Sequence, residues 1–239
     1  MNDGIGLYQG IISTNGLLLR EDQFAKLKHY CELLVEWNAK VNLVSRKDEE
    51  SIWPNHILHS ISILFEVGFP SGIRVADIGS GGGLPGIPLS IAMPQVEIVL
   101  IESIRKKCLA LEDMIQKLGV VNAKVVNARA EDASSMKEFR HSFDLVLARA
   151  VAPLERLIRW SGPLVRKDQE LELKIRKAES GNESFALPAL IAMKGGSLEL
   201  EIMDARKVFH SRDLRKVPIL FDGIENTTLV DKYIVIVAL

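Results

Sequence analysis

The chain has 239 residues, of which 47% are hydrophobic and 26% charged, and a net charge of -1. That length carries one sizeable core with an appendage, and the balance excludes a disordered chain or a strongly basic nucleic-acid tail, although a local basic face is compatible with a neutral total. Cys31 and Cys108 lack metal-ligand spacing and read as reduced thiols, and the absence of a signal peptide or a bilayer-spanning stretch points to a cytoplasmic protein.

Residues 1 to about 20 are rich in glycine and read as a loose arm or a short helix. From Glu21, Phe24, Leu27, Tyr30, Cys31, Leu34, Val35 and Trp37 follow helical spacing, and Asn38 and Asn42 mark the turn after it. Asp48-Glu49-Glu50 opens a second helical stretch through Trp53, His56, Ile57 and Leu64 that ends near Gly68. His56 and His59 share one face of it and read as polar surface or an RNA contact; no third ligand suggests a metal. Residues 1–70 thus form a helical extension on a core of 71–239.

The core opens with a strand over Ile73–Ile78 and the turn Asp77-Ile78-Gly79-Ser80-Gly81-Gly82-Gly83-Leu84-Pro85-Gly86. Gly81 to Gly86 satisfies G-x-G-x-x-G, a weak signal alone, while Asp77 to Gly83 reads D-x-G-x-G-x-G. Pro85 and Pro88 remove N–H donors that a pyrophosphate would use, and Asp77 places a carboxylate nearby. A cofactor with a cationic end, S-adenosylmethionine, suits this turn better than a dinucleotide. A second strand, Val96–Ile101, ends in Glu102, about 20 residues on, where an acid can accept from ribose hydroxyls. A helix follows to a Gly119 C-cap, then a strand over Ala123–Asn127 and a loop with Ala130 and Glu131 on the adenine side.

The fourth strand, Phe143–Ala148, delivers Arg149 to the carboxyl edge of the sheet, and the fifth, Ala189–Met193, delivers Lys194. Both basic residues are candidates for orienting phosphate or base. Between them, about 166–185 is charged and reads as a solvated insertion or mobile loop. A helix over Leu198–Phe209 and strands over Val217–Phe221 and Tyr233–Val237, the last two as an antiparallel hairpin, complete a doubly wound α/β sheet.

Several stretches together resemble the ribosomal RNA small-subunit methyltransferase G family, also called glucose-inhibited division protein B. They are Trp37–Leu43, His56–Leu58, Asp77–Pro88, Arg149–Ala152 and Ala192–Gly195, with Leu84-Pro85-Gly86-Ile87-Pro88 the most specific. The resemblance implies a Rossmann-like bacterial enzyme that moves a methyl group from S-adenosylmethionine to ring nitrogen 7 of a guanine in 16S ribosomal RNA, as a monomer acting on RNA or the small subunit. By motif position it implies cofactor contacts at Gly79, Leu84, Glu102, Ala130, Glu131 and Arg149. His59 stands where the family usually has aspartate, and the insertion is longer than expected. Ring nitrogen 7 attacks without losing a proton, so no general base is needed, in keeping with the absence of an obvious catalytic dyad and of Asn-Pro-Pro-Tyr after the fourth strand. The alternatives are a small-molecule methyltransferase of the same fold, a binding module without turnover and, last, a dinucleotide oxidoreductase.

Overall fold

The computed structural model of the protein describes residues 5–167, 170–176, 183–209, 213–227 and 229–239. Strand segments such as Val75-Ala76-Asp77-Ile78 and Leu145-Val146-Leu147-Ala148 are apolar on both faces, as strands covered by helices on either side must be. They form a seven-stranded sheet from β2 (Arg74–Ile78), β3 (Glu97–Glu102), β4 (Ala123–Asn127), β5 (Leu145–Arg149), β8 (Ala189–Gly195), β9 (Leu214–Pro218) and β10 (Lys232–Ala238). The order is β4-β3-β2-β5-β8-β10-β9, parallel except for β10, which is antiparallel to both neighbours. Helices α4 (Gly86–Ala92), α5 (Arg105–Leu118), α6 (Ala130–Ala133), α7 (Leu154–Ser161) and α8 (Glu199–Val208) connect the strands. Gly119 closes α5 in the left-handed region at φ 59°, donating to the carbonyls of Ile115 and Gln116.

The N-terminal segment comprises α1 (Ile5–Thr14), α2 (Glu21–Asn38) and α3 (His59–Glu66). Of the two readings of the first 20 residues, the helix is found: Ile11 and Ile12 are buried, and Tyr8 stacks on Trp53 with ring centroids 5.7 Å apart. Leu27, Leu34 and Ile57 join Ile87, Leu100 and Leu111 in one contiguous core.

Three expectations are corrected. The continuous helix from Asp48 to Leu64 is instead a 3-10 turn (Arg46–Ser51), a π-helical turn (Trp53–Leu58) and then α3. Pro54, without an N–H, stands at the start of the π turn, where an α-helical ladder would lose a bond. The insertion at 166–185 is not a solvated loop in its described part. Strands β6 (Glu172–Ile175) and β7 (Glu183–Ala186) pair with each other and β6 pairs with β1 (Val67–Gly68), burying Leu173, Ile175 and Phe185; residues 168–169 and 177–182 lie outside the described residues. The strand expected over Val217–Phe221 begins earlier, as β9, because Ile219 and Phe221 turn inward after Pro218 and are buried in the core.

Candidate functional site

The glycine turn leaves the carboxyl end of β2 and folds back under it. Gly79 and Gly81 hold φ at 67° and 57°, a region that side-chain-bearing residues rarely adopt. Their surroundings differ sharply. A Cβ on Gly79 would stand 2.7 Å from Val151, and one on Gly82 would stand 3.0 Å from Leu34 and 3.4 Å from Leu43, so the N-terminal segment covers the outer side of the turn. Tyr30, wholly buried in α2, donates from its hydroxyl to the Gly82 carbonyl at 2.7 Å. At Gly81, by contrast, a Cβ would find only the Gly79 carbonyl, 3.9 Å away. That α-carbon faces open space. Gly83, at φ 91°, packs inward against Ile87 and Leu111, and Leu84 is buried beside it.

Asp77 is fully buried beneath the turn and accepts from the Gly86 N–H at 3.1 Å, tying the end of β2 to the first residue of α4. Its other oxygen, Oδ1, has no hydrogen-bond partner. Burial pushes its carboxyl up to about 7, against the opposing Gly86 hydrogen bond. The residue therefore shapes the turn from below and does not open onto the groove. Glu102, at the end of β3, accepts from the Gly81 N–H at 2.9 Å through one oxygen and from the Ile104 N–H at 2.8 Å through the other. The carboxylate thus sits at the edge of the open Gly81 face. The Asn127 side-chain amide donates to the Glu102 and Ser103 carbonyls, which brings the loop after β4, with the half-buried Ala130 and the exposed Glu131, to the same edge.

Arg149 ends β5 and reaches across to the N-terminal segment. Its guanidinium donates to the Asn55 carbonyl at 3.0 Å, the His56 carbonyl at 3.3 Å, the Ser60 hydroxyl at 3.2 Å and His56 Nδ1. Burial lowers its pKa to about 10, which leaves it charged at neutral pH. Lys194, one strand over in β8, donates to the Ala152 carbonyl at 2.8 Å and to Glu201 at 2.5 Å, and Glu201 also accepts from the Leu154 N–H. Both basic residues therefore brace the loop after β5, and both line a cavity of about 360 Å³ with Asp48, Asn55, His56, His59, Met193 and Lys232.

His56 and His59, expected on polar surface, are instead 9% and 7% exposed. Burial, reinforced by Arg149, drives the pKa of His56 down to about 4 and that of His59 well below its ordinary value. Both are neutral at pH 7. Sequence reading missed Tyr30 and Asp48 as parts of the site, because each arrives from a distant element and carries no local motif.

The fold is shared with solved methyltransferases. A S-adenosylmethionine-dependent methyltransferase from Aquifex aeolicus aligns with TM-score 0.51 at 15% identity over 80% of this chain and 93% of its own. The CurJ carbon methyltransferase aligns with TM-score 0.55 at 10% identity, over 97% and 70%. At such identities the likeness is one of fold. Sequence relatives go further: the ribosomal RNA small subunit methyltransferase G of Chlorobium luteolum is 37% identical over 83% of this chain and 74% of its own length, and that of Bacteroides fragilis is 39% identical over 77% and 81%. With the family model described as rRNA small subunit methyltransferase G matching residues 23–198, this chain belongs to that family.

Proposed function

We propose that the protein transfers a methyl group from S-adenosylmethionine to ring nitrogen 7 of a guanine in 16S ribosomal RNA, as a cytoplasmic monomer. The observation that carries the cofactor assignment is the open face of Gly81 beside the Glu102 carboxylate. A side chain at position 81 would fill this cradle. Each Glu102 oxygen accepts one backbone N–H and retains lone-pair capacity for a ribose hydroxyl. Gly79, Leu84, Ala130 and Glu131 border the same edge of the sheet, and Asp77 and Gly83 hold the turn's shape from within. S-adenosylmethionine bound there supplies an electrophilic methyl group on a sulfonium.

The chain's own part is placement. Arg149 fixes the loop after β5 against the N-terminal segment, and Lys194 fixes its far end through Ala152 and Glu201. The acceptor base enters the cavity that these two residues line, together with Ala150 at the start of the loop after β5. Ring nitrogen 7 attacks with a lone pair it already has, so histidines held neutral by burial need take up no proton. Orientation of donor and acceptor is worth roughly 7–11 kcal/mol when the reacting atoms are held near attack distance.

The test is to treat 16S ribosomal RNA from a strain lacking this protein, and from the complemented strain, with borohydride and then aniline, and to map cleavage by primer extension. Cleavage at one guanine only on complementation is expected. Identical cleavage in both strains, with label from S-adenosylmethionine passing to a small molecule in vitro, overturns the reading in favour of a metabolite methyltransferase.

A further inference from the structure

The cavity beside Arg149 carries an arrangement that cofactor binding does not use. Asp48, in the 3-10 turn ahead of the π-helical turn, is one-third exposed, and its carboxylate is held from both sides. The Asn55 side-chain amide donates to Oδ1 at 3.1 Å, and His56 Nε2 stands 3.5 Å from Oδ2. The tautomer of His56 follows from its other nitrogen: Nδ1 faces an Arg149 N–H and must accept, so the proton is on Nε2, toward Asp48. His56 Nε2 is itself buried without a hydrogen-bond partner, so its N–H faces the Asp48 carboxylate on the cavity wall from beyond hydrogen-bond reach, and the directed contact to that carboxylate is the Asn55 amide. His59 Nε2 is likewise buried without a hydrogen-bond partner in the same wall. Lys232 lines the cavity too, and no ion pair to it occurs among the described residues.

The Asp48 carboxylate, with two acceptor oxygens, and the Lys232 cation match the Watson–Crick edge of guanine, which offers N1–H and the 2-amino group as donors and O6 as acceptor. Adenine presents an acceptor at N1 and a donor at its 6-amino group, so it would set like against like. Binding by this edge leaves ring nitrogen 7, on the other side of the base, clear for the methyl donor. We infer that Asp48, oriented by Asn55, is the specificity-determining residue that reads the N1–H and 2-amino group of the acceptor guanine. The inference rests on the proposed RNA reading and deepens it.

The experiment uses full-length protein and a 16S ribosomal RNA transcript with either guanosine or inosine at the mapped target. Inosine keeps N1–H, O6 and ring nitrogen 7 but lacks the 2-amino group. For the unsubstituted enzyme, kcat/KM on inosine is expected to fall roughly ten- to a hundredfold, the scale of one hydrogen bond to a charged group. D48A, which loses the N1–H contact as well as the 2-amino contact, should lower kcat/KM on guanosine by at least that factor and bring the two substrates within about twofold, because no carboxylate remains to read the difference. Calorimetry should show unchanged affinity of D48A for S-adenosylmethionine, which establishes that the variant is folded; if it is not, D48N serves, as it keeps the Asn55 contact and loses the charge. Equal rates on guanosine and inosine for the unsubstituted enzyme, or an undiminished preference in the folded variant, overturn the inference. Failure of the unsubstituted enzyme to methylate any ribosomal RNA overturns the underlying functional reading and this inference with it.

Discussion

Glu102 and Asp77 are both carboxylates within one turn of the same cradle, yet their surroundings give them different work. Glu102 holds two backbone N–H groups at the rim, and Glu102→Ala removes these along with the predicted ribose contacts. Affinity for S-adenosylmethionine should fall by about 1.5–3 kcal/mol, measured by calorimetry. Normal binding by that variant would reduce Glu102 to a cap on the turn. Gly81→Val should also abolish binding, by filling the open face and forcing a β-branched residue to φ 57°, with the far-UV spectrum retained. Asp77 is a matter of proton linkage. Its carboxyl ionises at about 7 in the fold against an ordinary 3.8, so its contribution to stability is full below 3.8 and is lost as pH rises through about 7. His56 acts in the opposite sense: with its pKa lowered from 6.5 to about 4, it contributes fully above 6.5, and that contribution is lost as pH falls through about 4. Asp77→Asn should therefore gain stability relative to the unsubstituted protein between pH 5 and pH 8 in urea titrations. A gap that is the same at both values would mean that the buried carboxyl titrates normally.

At the scale of elements, the motif-bearing parts were legible and the parts made by distant pairing were not. The glycine turn, the acid after the second strand and the Gly119 cap each announce themselves because local backbone geometry demands those residues. The β6–β7 pair did not, since the charged Glu172, Lys174 and Glu183 interrupt Leu173, Ile175 and Phe185, and its partner strand, Val67–Gly68, is two residues long and about a hundred positions earlier. Phe185→Ala tests that packing. An unpacked loop would lose nothing, whereas the buried ring predicts a cost of about 3–5 kcal/mol by urea denaturation. The break in the helix at Trp53–Leu58 was half legible, as Pro54 is visible but the π register that follows depends on how Trp53 and Ile57 seat against α1 and α2. The same dependence explains the two histidines. Their spacing is a surface pattern, and only the arrival of Arg149 from β5 encloses them.

For the molecule as a whole, the N-terminal segment is built onto the glycine turn and is not an ornament upon it. Tyr30→Phe removes one hydroxyl, 2.7 Å from the Gly82 carbonyl, and should cost about 0.5–1.5 kcal/mol of stability while weakening cofactor affinity, a coupling that a detached appendage would not show. The distances along the chain are long: Tyr30 to Gly82 spans 52 residues, His56 to Arg149 spans 93, and Glu66 to Leu220 spans 154. Protein synthesis meets these contacts in the least convenient order. At about 5–20 residues per second, the segment carrying His56 waits roughly 5–20 s after its own synthesis before Arg149 is made to receive it. During that interval the apolar faces of α2 and α3 have no sheet to cover them. Nascent chains stalled before Leu145 should be cut by protease within residues 21–66, and chains stalled after Ala238 has emerged should resist, so that the order of synthesis itself sets how long those faces stay uncovered.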